Sequence, residues 1–144
     1  MSGLVFVDTN VLLYAVDQVD LRKHELAREW RRKLWETQRG RLSFQVLQEF
    51  YANVTRKWPD HRDSARAEVV DLLAWQPVPI DGEILNAGWK LQDRFGFSFW
   101  DALLVAAAMA SHSEYLLSED FQARQDIGGL QIVNPFHTNP SEII

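Results

Sequence analysis

The sequence predicts a three-layer α/β/α fold, with a central parallel sheet flanked by helices. Three observations point there. Leu4–Val7 is a continuous apolar run of strand length, the pattern of a strand covered on both faces. Similar short runs at Tyr115–Leu117 and Leu130–Val133 alternate with helical stretches along the chain. One such stretch, Phe99–Ala110, is apolar on every side apart from a single Asp, which places it in the interior.

In chain order, Asp8 and Thr9 are N-cap residue types ahead of a short helix over Val11–Ala15. Leu21–Gln38 has helical periodicity, with Leu26, Ala27, Trp30 and Leu34 on one face and Gly40 beyond its end. Arg41–Ser43 reads as a short strand, and Ser43 caps a helix over Phe44–Trp58 that buries Leu47, Phe50, Tyr51, Val54 and Trp58. A further helix covers Arg62–Ala74. Gln76–Ile80 contains Pro77 and Pro79, which make it an edge strand or a linker. Asp81 caps a helix running to about Phe95. Phe121–Asp126 is expected as a helical turn, Gly128–Gly129 as a turn, and Asn134–Ile144 as a trailing tail. No internal repeat, low-complexity segment or inter-domain linker interrupts the 144 residues, which read as a single domain.

Composition narrows the chemistry. The chain has no Cys, which excludes disulfides, thiolate zinc sites and Cys nucleophiles. The four His are scattered without ligand spacing, the Gly residues form no phosphate-cradling loop, and no G-x-S-x-G elbow is present. MSGLVFVDTN lacks the basic start of a signal peptide, and the Ala102–Ala110 run is far short of the roughly 20 residues that span a bilayer. A soluble, cytoplasmic protein without membrane attachment is expected.

The net charge of −5 is unevenly distributed. Arg22 to Arg66 carries 12 Lys/Arg against 6 Asp/Glu, whereas the rest carries 3 against 14. The basic half, including Arg22, Lys23, Arg28, Arg31, Arg32, Lys33, Arg39 and Arg41, is either a phosphate-contacting surface or a solvated helix pair. Trp35 lies outside the apolar stripe of its helix, so it is either a partner anchor or packed under a neighbouring helix.

Four acidic positions remain. Asp8 follows an apolar strand, at the end where open α/β sheets bind ligands, although it could be only an N-cap. Thr9 and Asn10 beside it offer a hydroxyl and an amide. Asp101 heads the apolar helix. Ser98-x-x-Asp101 has capping-box spacing, yet a buried lone carboxylate is costly, so both a cap and a ligand role are expected. Glu49 projects roughly opposite the Leu47/Phe50/Val54 stripe, in a row with Gln45 and Asn53 that faces either water or a cleft. Glu119 and Asp120 compete for one role after the strand, with Asp120 favoured, Glu119 auxiliary, and Ser118 placed to bond a carboxylate or cap the turn. Converging carboxylates raise one another's pKa unless a hard divalent cation holds them.

Together VFVDTNVLLYA, SFQVLQEF, SFWDALLVAAA and LLSEDF resemble, in order, the four acidic motifs of the PIN-domain family and its VapC-like toxins. The resemblance implies a PIN-like fold and a catalytic, metal-binding set of Asp8, Glu49, Asp101 and Asp120, supported by Thr9, Asn10, Ser118 and Glu119. It implies one or two Mg²⁺ or Mn²⁺ ions, hydrolysis of RNA by a metal-activated water, a cognate VapB-type antitoxin and a homodimer. A housekeeping PIN nuclease without an antitoxin, and an inactive interaction module, are the alternatives. A haloacid-dehalogenase-type phosphatase needs a second Asp two positions after the first, where this chain has Asn10.

Overall fold

A computed structural model describes residues 2–122 and 125–144. Among these residues, five strands form one sheet in the order β2-β1-β3-β5-β4. They are β1 (Val5–Val7), β2 (Gly40–Arg41), β3 (Tyr115–Leu117), β4 (Asp126–Ile127) and β5 (Leu130–Val133). β1 pairs in parallel with β2 and β3, β3 in parallel with β5, and β4 runs antiparallel on the edge. The register Phe6↔Leu116↔Ile132 crosses the middle of the sheet. All three β1 residues are buried, as the apolar run predicts for a strand covered on both faces.

Among the described residues, six α-helices flank the sheet: α1 (Thr9–Tyr14), α2 (Leu21–Thr37), α3 (Phe44–Lys57), α4 (Arg62–Leu72), α5 (Gly82–Phe95) and α6 (Phe99–Ala110). The starts of all but α4 are set by a side-chain cap. Asp8, Asp20, Ser43, Asp81 and Ser98 each accept a backbone N–H of the first turn, where no intrahelical partner exists. α2 buries Ala27, Trp30 and Leu34 as its periodicity predicts. Within residues 76–80 only Val78 bridges, in parallel with Ser43: its amide donates to the Leu42 carbonyl (3.0 Å) and its carbonyl accepts from the Phe44 amide (3.0 Å).

Among the described residues, no helix is long and apolar enough to cross a membrane.

Besides leaving Tyr51 and Trp58 half-buried and starting β2 one residue earlier, the structure departs from the sequence reading in three larger ways. Asn134–Ile144 does not trail. The Trp30 indole donates to the Pro135 and Thr138 carbonyls, Arg22 donates to the Phe136 carbonyl, and Phe136 is buried edge-on to Tyr14. A buried indole N–H needs an acceptor, and the segment supplies it. Second, Asp126 begins strand β4 where a helical turn is expected; of that expected turn, Ala123 and Arg124 lie outside the described residues. Third, α6 is buried from Ala102 to Ala108, but Trp100 in its first turn is 63% exposed.

Gly40 illustrates how tightly the β2 edge is packed. A Cβ there would lie 2.6 Å from the ring of fully buried Trp75, which cannot retreat within a close-packed core. Gly40→Ala is therefore expected to destabilise the protein by about 1–3 kcal/mol, measured by denaturant titration. An unchanged midpoint would mean that Trp75 has room to move.

Candidate functional site

The parallel strands bring distant acidic residues together at their carboxyl ends. Asp8 leaves β1 as the N-cap of α1 and is 8% exposed. Its Oδ1 accepts from the Thr9 amide (2.7 Å), and its Oδ2 accepts from the Ser118 hydroxyl (2.7 Å) just past β3. Ser118 also accepts from the Asp120 amide (3.1 Å), which places Asp120 beside Asp8. The Asn10 amide stands between the two carboxylates, donating to Asp120 Oδ2 (2.9 Å) and Asp8 Oδ2 (3.3 Å).

Glu49 arrives from α3, and its row faces the cleft. Its Oε2 accepts from the Thr9 hydroxyl (2.9 Å), and its Oε1 accepts from Gln45 Nε2 (3.1 Å), one turn earlier. Asp101 lies in the first turn of α6, where its amide donates to Ser98 Oγ (3.2 Å). Among the hydrogen bonds of the described residues, the Ser98 amide makes no bond back to the Asp101 carboxylate, so only the cap half of the box forms. Asp8, Glu49, Asp101 and Asp120 all line one hollow of about 250 Å³.

Electrostatics bear the marks of this convergence. Burial pushes the Asp8 carboxyl up to about 6, opposing the Ser118 and Thr9 hydrogen bonds that lower it, and the charges of Asp120 and Glu49 add to the rise. Asp101 is also raised, by burial first and then by Asp120 and Glu49, while Ser98 lowers it. The carboxylates thus repel one another in the cation-free protein.

Whether these residues fit a divalent cation is a matter of donors and of geometry. Among the described residues, no three carboxylates or imidazoles stand close enough together to hold a cation in this arrangement. The donor chemistry does fit. The cleft is lined by oxygens with no His or Cys, the set that hard cations take. Asn10 Oδ1 is buried at the same place without a hydrogen-bond partner, a cost that a cation or its water shell would remove.

The other residues singled out in the sequence divide by location. Glu119 does not line the carboxylate hollow. It pairs with Lys23 (2.7 Å) and lines an adjoining hollow that also contains Asn10 and Lys57. Lys23 is therefore close to the cleft. Arg28, Arg31, Arg32 and Trp35 line a different, larger groove of about 790 Å³, bordered by α2 and Glu68 of α4. Size does not make that groove the reactive site, because it lacks the carboxylate set. Arg31 there is held by Glu68 through two hydrogen bonds and stacks over Trp35 and Trp75. Arg32 pairs with Glu29 and Glu36. Arg41 donates to the Gln38 and Gly40 carbonyls. Lys33 is half-buried, and Arg39 is exposed. Trp35 is half-buried, packed against the core with Arg31 on its face, so it is not the fully exposed anchor its helical position suggests.

Two cleft residues escaped the sequence reading. The sequence shows Gln45 only as a neighbour of Glu49 in a row that faces either water or a cleft, and it places Trp100 in a helix whose composition reads as buried all round. The signal for both was their position: one turn before Glu49, and immediately before Asp101.

Fold and site together define an α/β protein with an acidic cleft at the carboxyl edge of a mostly parallel sheet. The chain belongs to the PIN-domain family, a family of nucleases: the model of that family, described as PIN domain, matches residues 5–125. No curated protein sequence matches it significantly. Among solved structures, it is similar in fold to a chain of a toxin–antitoxin complex from Klebsiella pneumoniae (TM-score 0.63, 16% identity, covering 91% of this chain and 97% of the other). It is similar to VapC20 of Mycobacterium tuberculosis, a sarcin–ricin loop cleaving toxin (TM-score 0.60, 20% identity, 78% and 86%). It is also similar to a chain of VapBC2 from Rickettsia felis bound to a promoter DNA fragment (TM-score 0.61, 14% identity, 90% and 96%).

Proposed function

We propose that the protein is a divalent-metal-dependent endoribonuclease and the toxin of a VapBC-type toxin–antitoxin pair, acting in the cytoplasm. One observation carries this reading: four carboxylates from four separate segments line a single cleft. Asp8, Glu49, Asp101 and Asp120 would hold one or two Mg²⁺ or Mn²⁺ ions. Bound there, such ions supply an activated water and offset charge on the scissile phosphate and the leaving 3′ oxygen.

The chain's own groups prepare the site. Ser118 and the Thr9 amide fix both oxygens of Asp8, and the Thr9 hydroxyl with Gln45 fixes both oxygens of Glu49. The Asn10 amide bridges Asp8 and Asp120 and limits their repulsion until a cation arrives. The test is incubation of the purified protein with total RNA, with Mg²⁺ or EDTA, and mapping of the ends. New ends at defined positions, present with Mg²⁺ and absent with EDTA, are expected; intact RNA under both conditions refutes the reading.

Lys23 is the best-placed of these basic residues for phosphate contact: like Arg22, Arg31 and Arg32 it has a protein partner, but its partner Glu119 lines the hollow that adjoins the cleft. Lys23→Gln should weaken RNA binding regardless of sequence and lower the salt slope by about 1. An unchanged slope would leave Lys23 as a partner of Glu119 alone.

Two of the solved neighbours are toxin–antitoxin assemblies, which supports an antitoxin partner here, and a homodimer is part of the same reading. The groove beside Trp35 is the surface we assign to the antitoxin. Trp35→Ala should weaken antitoxin binding by about 2 kcal/mol or more, as hot-spot tryptophans do. Unchanged affinity in calorimetry, with the fold intact, would move the interface elsewhere.

A further inference from the structure

Trp100 is an anomaly in its own helix. The rest of α6 from Ala102 to Ala108 is buried, yet this large indole is 63% exposed, directly before Asp101 at the edge of the acidic cleft. Phe99 lies against it edge-on, with ring centroids 5.3 Å apart. Exposing an indole costs hydration free energy, and nothing in the packing of α6 requires it there.

A second anomaly adjoins it. Gln45 is 8% exposed, and its Nε2 donates to Glu49 Oε1 (3.1 Å) and, more weakly, to the Trp100 carbonyl (3.4 Å). Its Oε1 is buried with no hydrogen-bond partner, although the residue lines the cleft. An amide so oriented holds an unsatisfied acceptor, which natural structures rarely leave without a use.

We propose that Trp100 and Gln45 form a nucleotide subsite beside the carboxylates. The indole stacks on the base next to the scissile phosphate. Gln45 Oε1 accepts from a donor of that nucleotide, a ribose hydroxyl or an exocyclic amine. Gln45 Nε2 meanwhile ties the start of α6 to α3, so that stacking surface and carboxylates keep their spacing. The subsite rests on the ribonuclease reading above, and supplies what that reading lacks: a means of positioning the strand. Every base has a π face, so the stacking contact tolerates sequence, whereas the acceptor discriminates.

The test is anisotropy of fluorescein-labelled single-stranded oligoribonucleotides in Ca²⁺ and in EDTA, alongside cleavage in Mg²⁺. Trp100→Ala should weaken binding by about 10- to 100-fold. Trp100→Phe should restore most of it and Trp100→Leu little, which separates stacking from apolar contact. Single 2′-deoxy or amine-free base substitutions that cost the wild type affinity should cost Gln45→Met less, and the class that responds identifies the donor. Wild-type affinity in Trp100→Ala, with wild-type cleavage persisting, overturns the subsite and leaves the nuclease reading standing. The same result with a loss of self-association would make the indole a subunit contact instead. Equal penalties in Gln45→Met at every substitution overturn the acceptor role. A wild type that neither binds nor cleaves RNA overturns the nuclease reading, and the subsite with it.

Discussion

Asp8→Asn and Asp101→Asn should each reduce Mg²⁺-dependent RNA cleavage by more than about 100-fold while the protein stays folded. Loss of groups that merely orient metal ligands already costs about 10- to 100-fold, so neutralising a ligand should cost more. Each change preserves shape and removes one negative charge. The Asp8 site should tolerate it, because the carboxamide oxygen can still accept from the Thr9 amide and the Ser118 hydroxyl can rotate to accept rather than donate. Glu49→Gln and Asp120→Asn should be strongly impaired but less completely, since Asp120 is exposed and both ligands can reach a hard cation through its water shell. Added Mn²⁺ should rescue the weaker variants before the Asp8 variant. Wild-type cleavage by Asp101→Asn at wild-type metal concentration would remove that residue from the ligand set.

Asp8 should also make the cation-free protein less stable as pH rises. Its folded-state pKa is about 6 against an ordinary 3.8, so the folded state holds the proton over a range where the unfolded state has lost it. Below pH 3.8 both states are protonated and the effect vanishes. Between 3.8 and 6 stability falls with rising pH, because the unfolded state binds fewer protons. Above 6 the full penalty applies, on the order of 3 kcal/mol at about 1.4 kcal/mol per pKa unit. Asp8→Asn should therefore melt higher than wild type in EDTA at neutral pH, by about 3–6 °C once the weakened Asn10 contact is discounted. Excess Mg²⁺ should raise the wild type more than the variant, because an ion that binds only the folded state stabilises it by mass action. If Asp8→Asn melts lower in EDTA and gains as much from Mg²⁺, Asp8 is an ordinary helix cap.

Local physics made much of this protein legible in one dimension. A three-residue strand buried on both faces must be apolar throughout, so β1 announces itself, and its terminal Asp8 falls where strand gives way to helix. Side-chain caps act over three residues, so Ser43, Asp81 and Ser98 mark the starts of α3, α5 and α6 directly. The four acidic motifs could be found because each is a short string tied to one such junction.

Contacts between distant segments were decided only by tertiary structure. Periodicity places Glu49 opposite an apolar stripe, but only the approach of Thr9 turns that row into a cleft wall. Adjacent Glu119 and Asp120 are equivalent in composition. The backbone turn at Ser118 sends one to the Asp8 cleft and the other to Lys23. Composition cannot show that Arg31 is already taken by Glu68, that the Trp30 indole holds down residues 134–144, or that Trp100 protrudes from a buried helix. The physical reason is range: capping, strand burial and helical periodicity act through neighbours a few residues apart. Pairing of charges and exposure of a single face depend on which surfaces a folded chain brings within a few ångströms.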